Sequence, residues 1–395
     1  MMRSNKAEPG NSLERHAMTP QRYAYIDAMR GYAILLVIAV HSSLYFSDLP
    51  EAVQTLADQG ARGVQLFFVL SAMTLCMSWQ ARHEGAIPFY VRRFFRIAPM
   101  YYLSIPFFLW AHGWAPNIYA PDGIGWRHVL MAATFTHGLL PDTITSVVPG
   151  SWSIADEMMF YALFPLLMLG LNRIHFMRAA LVVVVQTSIC LFIQRHTSIY
   201  VAHMADPAWR ATWGTFVYLW FVQQLPCFLF GMLVFKWMAD GRATRWPRAL
   251  VLISLFAMVA VAFFPGLPLV GRLGLPIQYG IIFAAFALGL AHWQPWLLVN
   301  PVIGWIGKVS FSAYLVHLAV ISIFTIPHDN YAEAFLALTA ITLAISTFTY
   351  LFIEEPFNRL GSRLARWLAD ASLRQSTVNK LGPDPVVQEI TTAGE

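Results

Sequence analysis

Residues 23–46 read YAYIDAMRGYAILLVIAVHSSLYF, an apolar run long enough to enter a bilayer that also carries Asp27 and Arg30 near its start and His41 about two thirds of the way along. At about 100° per residue, the step from Arg30 to His41 turns a helix about 1100°, about 20° past three full turns, so the two share a face about 16 Å apart along the axis. Asp27, three residues before Arg30, shares that face. Ionisable groups inside a membrane helix are expensive and normally face a bundle interior or a wet cavity, so this face reads as the wall of a site. Imidazole has the side-chain pKa nearest neutrality, which makes His41 a candidate general base; the plainer reading is a histidine that packs between helices. Arg30, taken alone, is an interfacial anchor, and its alignment with Asp27 and His41 argues for more.

Outward from this stretch, composition sets the class. Of 395 residues 57% are apolar, 12% charged and 15% aromatic, and the mean hydropathy is positive, which excludes an ordinary soluble globule. The expected fold class is an all-α polytopic membrane protein. A net charge of +5 suits loops held against anionic lipid, and without a basic block interleaved with aromatics it gives no sign of nucleic acid. Cys76, Cys190 and Cys227 fall inside apolar runs, without the pattern of a disulfide framework or the spacing of a metal site. The polar first 22 residues lack the apolar centre and cleavage site of a signal peptide and are expected to form a flexible cytoplasmic tail.

Ten candidate spans follow, at about 28–46, 62–80, 97–112, 151–170, 178–194, 213–237, 249–264, 276–292, 303–326 and 333–353. A Gly/Pro-rich connection, 113–148, holds too many breakers for another simple span. Pro226 is expected to kink the sixth span if a neighbour satisfies the carbonyl it frees. The expected organisation is a tail at 1–22, a membrane domain at 23–360, an amphipathic cytoplasmic segment at 361–375 on the membrane surface and a disordered tail at 376–395. With the N-terminus cytoplasmic, all but five of the 26 Lys and Arg fall on the cytoplasmic side, the exceptions being Arg62, Arg127, Arg195, Arg210 and Arg272. That bias places both termini in the cytoplasm. No internal repeat is evident, which weighs lightly against a transporter.

Two further constellations carry chemistry. In RRFFRIAPMYY, 92–102, Arg93 and Arg96 are helical neighbours at the cytoplasmic boundary. Guanidinium forks match phosphate oxygens, so a phosphate-bearing ligand such as coenzyme A would dock there; ordinary anchoring is the alternative. In PGSWSIADEMMFYALFP, 149–165, Ser151 reads as the cap of a helix that carries Asp156 and Glu157 one to two turns inward, with Glu157 and Tyr161 on one face. Carboxylates that deep serve either to pair a buried arginine, or to orient the histidine or bind an acceptor hydroxyl. Tyr314 and His317 lie within span nine, where packing and function are equally good readings.

The chain resembles the integral-membrane acyltransferase type three family. The resemblance covers about 23–360 and is carried, in order, by YIDAMRGYAILLVIAVH, FFVLSAMTL, RRFFRIAPMYY, SWSIADEMMFY, GKVSFSAYLVHLAV and FIEEPFNRL. It implies O-acylation of glycans, with Arg30 and His41 as the essential pair, Arg93 and Arg96 serving the acyl-CoA side, and Glu157 as the acidic residue of its segment. Ala72 stands where the family usually has glycine, and Met158 where a second glutamate is common. No C-terminal esterase-like domain of the kind some relatives carry is expected.

The reading is therefore an enzyme of a bacterial inner membrane that moves an acyl group, expected to be acetyl, from cytoplasmic acyl-CoA to a hydroxyl of a carbohydrate-containing acceptor. His41 would take the acceptor proton or carry the acyl group itself, Asp27 or Glu157 would orient it, and Arg30 would neutralise donor charge or fix that carboxylate. Acyl-CoA enters as co-substrate, with no metal and no permanently bound cofactor expected; the glycan acceptor, the bilayer and glycan-assembly proteins are the expected partners. Trp114, Trp126, Trp209 and Trp213 are first of all interfacial belt residues, and secondly stacking surfaces for sugar rings. Two rivals stand beside this reading: a transporter or flippase of a glycan or lipid-linked sugar, which would not consume acyl-CoA, and a non-catalytic member of an assembly complex, which would tolerate loss of His41.

Overall fold

A computed structural model describes residues 23–82, 85–264, 273–324 and 330–381, with side chains described to Ala371. The expected tail 1–22 lies outside the described residues, as do Arg272 and residues 382–395 of the expected disordered tail 376–395, whose first residues, 376–381, continue the last helix. The described chain is helical and, apart from a single bridge between Asn117 and Ala120, without strand pairing. The helices are α1 (Ala24–Ser43), α2 (Glu51–Asp58), α3 (Gly63–Arg82), α4 (Ala86–His112), α5 (Trp126–Ala133), α6 (Trp152–Leu171), α7 (Phe176–Ala202), α8 (Pro207–Leu219), α9 (Phe221–Ala239), α10 (Pro247–Phe263), α11 (Leu275–His292), α12 (Pro301–Lys308), α13 (Ser310–Ile323), α14 (Tyr331–Thr349) and α15 (Glu355–Leu381).

By length and composition seven of these segments can cross a membrane, or eight if the bent pair α12 and α13 counts as one span. Over their described residues the ten expected segments fall on helices, but α4 carries three arginines in its first half and α10 has only 17 residues, so neither meets the same standard and the count of ten is not reached. Large apolar side chains such as Leu166, Phe192, Phe256 and Phe352 stand more than 60% exposed on the outside of the bundle. A soluble protein would bury such rings, and a bilayer solvates them. The protein is an integral, multi-pass membrane protein.

The first helix, α1, is the axis of the bundle. Helices in lipid associate through close packing at small residues, not through expulsion of water. Accordingly, a Cβ on Gly31 would stand 2.4 Å from the Ile303 carbonyl oxygen and one on Gly307 only 1.7 Å from that of Asp27, so α12 lies directly against the start of α1. On another side, a Cβ on Gly63 of α3 would meet the Ala33 carbonyl at 2.3 Å.

Three local expectations are corrected. Span nine is not one helix: α12 and α13 meet at 71°, because the glycine contact holds α12 across α1 while α13 turns into the bundle. Span six is interrupted at Trp220, whose ψ of 155° is extended, a break the sequence reading did not place. Pro226 stays inside α9, and the Val222 carbonyl, whose usual helical donor would be the proline nitrogen, accepts the Cys190 thiol at 2.9 Å. Ser151 makes no side-chain cap on α6, since its own backbone is already helical at φ −68° and ψ −11°. The chain instead enters α6 through Gly150, at φ +75°, whose amide donates to Thr145 Oγ1 at 2.8 Å. The connection 113–148 forms no span; it packs Thr143–Val148 into the interior.

Candidate active site

Two neighbouring cavities lie at the end of the bundle that carries the arginines. The inner one, of about 90 Å³, is lined by Arg30, Ser71, Thr74, Arg93, Arg96, Ser153, Glu157, Tyr161 and Tyr314, with Phe67, Phe68 and Phe311 as its apolar wall. The outer one, of about 370 Å³, is lined by Asp27, Arg30, Arg82, Arg92, Arg93, Arg96, Lys308, Tyr350, Asn358 and Ser362. Arg30, Thr74, Arg93 and Arg96 belong to both. The outer cavity is thus a basic vestibule, six cations to one carboxylate, and the inner cavity opens from its floor.

Each side chain is set by its helix. Asp27 and Arg30, three apart on α1, form an ion pair at 3.6 Å, and Arg30 Nη2 donates to Thr74 Oγ1 at 3.3 Å. On α3, one turn of helix brings Ser71 and Thr74 to the same face; the Ser71 hydroxyl donates to Glu157 Oε1 at 2.7 Å. The Tyr161 hydroxyl, four residues along α6 from Glu157, donates to the same oxygen. Oε2 of Glu157 has no donor among the described residues, so the carboxylate is fixed in direction while half of it stays available.

The two arginines of α4 have different surroundings. Arg93 lies over the Phe89 and Tyr161 rings at 5.9 and 6.0 Å, and its Nε has no hydrogen-bond partner among the described residues. Arg96 is ion-paired through Nη1 to Oε1 of Glu354, and Glu354, 1% exposed, accepts the Ser312 hydroxyl on its other oxygen at 2.7 Å. Glu354 reaches inward from a π-helical turn, Tyr350–Glu354, between α14 and α15. Such a turn shifts the facing of everything after it, and π-turns recur at functional sites.

The structure brings Arg30, Asp27, Arg93, Arg96 and Glu157 together, and His41 stands apart from both cavities. Its Nδ1 lies 2.8 Å from the Val37 carbonyl oxygen and donates to it, which leaves the Nε2 lone pair as the acceptor. The backbone therefore orients this imidazole. Asp27, fourteen residues away on the same helix, is about 21 Å distant along the axis. The ring of His317 meets His41 edge-on with centroids 4.9 Å apart, and His317 in turn lies 5.7 Å from Tyr314, which lines the inner cavity. The Tyr314 hydroxyl donates to the Gly150 carbonyl at 2.8 Å and accepts from Ser153 at 2.8 Å. A row of rings thus leads from the cavity to His41.

Asp156 contributes nothing to this cavity. It is fully buried on another face of α6, with no hydrogen-bond partner on either oxygen among the described residues. At Ala72, backbone approach occurs without glycine on α3: Gly231 of α9 supplies it, since a Cβ there would meet the Val69 carbonyl at 2.1 Å and the Ala72 methyl at 3.1 Å. Several residues at or beside the site were given no role by the sequence reading. Ser71, Tyr314 and Glu354 stand in FFVLSAMTL, GKVSFSAYLVHLAV and FIEEPFNRL, so the signal was present as motif without a function. His137, outside both cavities, gave no signal: it is a lone histidine in the breaker-rich connection, buried against Tyr101, with Nε2 3.1 Å from the Ser151 carbonyl at the start of α6. Trp114 and Trp126 stack edge-on at 5.0 Å beyond the opposite end of the bundle.

Residues 23–351 match the acyltransferase domain of the acyltransferase-3 family. The exopolysaccharide production protein ExoZ of Rhizobium meliloti is 27% identical over 315 residues, 76% of this chain and 90% of that one. The peptidoglycan O-acetyltransferase OatA of Listeria monocytogenes is 25% identical over 370 residues, 85% of this chain, which spans 56% of OatA. Putative O-acetyltransferases of Staphylococcus aureus are 33% identical over 81 residues, 19% of this chain and 13% of theirs. No solved structure matches.

Proposed function

The chain belongs to the acyltransferase-3 family and is a membrane-embedded acyltransferase; on that premise we propose that it moves an acetyl group from cytoplasmic acetyl-CoA to a hydroxyl of a cell-envelope or exported glycan, in a bacterial inner membrane. The observation that carries the donor half is the continuity of the basic vestibule with the inner cavity through Arg30, Thr74, Arg93 and Arg96. Coenzyme A presents phosphates at one end and a thioester on a slender arm at the other. A mouth with six cations and a narrow interior of mixed polarity has the matching order of chemistry. The acceptor half draws on the relatives, whose names carry exopolysaccharide and peptidoglycan.

In this mechanism Arg93, with an unpartnered Nε, is the phosphate-facing arginine. Arg96, neutralised by Glu354, holds the wall and adds little net charge. The donor arm passes Glu157 and the Ser153–Tyr314 pair toward the histidines. His41 takes the acceptor proton at Nε2 as the hydroxyl oxygen attacks the thioester carbon, the C–S bond breaks, and the proton leaves with the coenzyme A sulfur. Glu157, pinned by Ser71 and Tyr161, directs polar atoms of the arm or the acceptor.

The test uses purified protein in lipid with labelled acetyl-CoA and a glycan extract. Wild type is expected to transfer label. His41→Ala should bind coenzyme A normally and lose transfer by about 10²–10⁴-fold, the range for a general base. Arg93→Ala should weaken coenzyme A binding by about tenfold or more, as expected for a lost charge-assisted hydrogen bond. Wild type that neither binds coenzyme A nor transfers label defeats the donor assignment.

A further inference from the structure

We infer that α15 forms the outer part of the donor site and holds the 3′-phosphate of the coenzyme A nucleotide, an inference that rests on the acyl-CoA reading above. The family match ends at residue 351, whereas the helix begins at Glu355. It is nevertheless built into the bundle. Phe357 stacks on Phe95 of α4 with centroids 6.5 Å apart, a Cβ on Gly361 would stand 2.5 Å from that of Phe95, and Ala365 is fully buried. These positions, four apart, form the face that docks on α4.

The neighbouring face is turned to a different purpose. Asn358 and Ser362 line the vestibule that reaches Arg93. The same two residues, with Tyr350, also line a third open cavity of about 370 Å³ that continues outward over Arg359, Arg363 and Arg366. The groove therefore runs without a break from the cavity with Glu157, past Arg93, to a row of guanidinium groups one and two helical turns further out. Arg359 is paired with Glu355 at 2.5 Å. Arg363 and Arg366 are exposed, and among the described residues neither has an acidic partner. They stand about 4.5 Å apart along the axis on adjacent turns, a spacing at which two forks can close on one phosphate.

Coenzyme A carries a diphosphate next to its arm and a separate 3′-phosphate on the ribose. With the diphosphate at Arg93, the ribose phosphate falls outward, on α15. The same arginines, beside exposed Trp367 and Leu364, would also attract anionic lipid phosphate, so the test must separate the two sources.

Binding of coenzyme A and of 3′-dephospho-coenzyme A is measured by calorimetry on the full chain, in neutral detergent and in nanodiscs with anionic lipid. The variants are wild type, Arg363→Ala/Arg366→Ala and Arg363→Lys/Arg366→Lys. Wild type is expected to prefer coenzyme A by about tenfold in both media, the alanine pair to bind both compounds equally, and the lysine pair to recover part of the preference. Wild type that binds coenzyme A without discriminating the 3′-phosphate overturns this inference and leaves the donor reading standing. An alanine pair weakened equally for both compounds, and only in anionic nanodiscs, makes α15 a lipid anchor and also overturns it. Wild type that binds neither compound overturns both readings.

Discussion

Asp156 and Glu157 stand about 100° apart on α6, and that rotation separates a carboxylate held by two hydroxyls at the rim of a cavity from one that meets no donor among the described residues. A carboxyl group without a partner in a membrane interior holds nothing in place, so an amide of the same shape should serve as well. Asp156→Asn is therefore expected to keep activity within about twofold, whereas Glu157→Gln, which weakens both hydroxyl bonds, should lose at least about tenfold. Equal losses in a transfer assay would give Asp156 a role that its surroundings do not suggest. At Arg96 the ledger concerns stability. Glu354→Gln strands a guanidinium group in the protein and should cost about 3 kcal/mol, the low end for a broken buried pair because Arg96 retains some exposure, read as a lower melting temperature in detergent.

At the scale of elements, the site depends on how closely α12 lies on α1. Gly307→Ala would drive a methyl group into the Asp27 carbonyl, where backbone and not a flexible side chain must yield. The two helices have to separate, which costs about 1–3 kcal/mol or more. The same shift displaces Asp27, Arg30 and Lys308 from the vestibule. The expected outcome is a fall in melting temperature together with weaker coenzyme A binding. Gly304→Ala, in the same helix but with open space around its Cβ, is the control and should change neither. The glycine pattern thus links sequence to packing, and packing to the position of charge.

For the whole molecule, the arginine-rich end and the Trp114–Trp126 end are the two poles of the bundle. From the charge bias we propose that the first faces the cytoplasm. Because Cys76, Cys190 and Cys227 are all buried, single cysteines report sidedness against a low background. Trp126→Cys, 77% exposed, should react with an impermeant maleimide added outside intact cells, and Trp367→Cys, 65% exposed, only after the cells are opened. The reverse pattern would put the vestibule on the side without acyl-CoA and end the donor assignment.

The class of the protein was legible in its sequence because membrane insertion acts on composition and run length, which are local properties: the apolar segments fall on helices, seven or eight of them able to cross a membrane, and the Arg93–Arg96 and Glu157–Tyr161 pairs share faces because helical periodicity requires it. The motifs identified the family for the same reason, as strings that need no partner to be read. What the tertiary structure decided are relations between distant strings. The partner of Arg96 is Glu354, from the far end of the domain; the partner of Glu157 is Ser71. The break between α12 and α13 follows from a glycine meeting a carbonyl on another helix, which no periodicity encodes. His41 was found by its spacing, but spacing placed it on the same wall as Arg30. Spacing also put three turns of helix between the two; only the packing of His317 and Tyr314 reveals that a row of rings spans the interval.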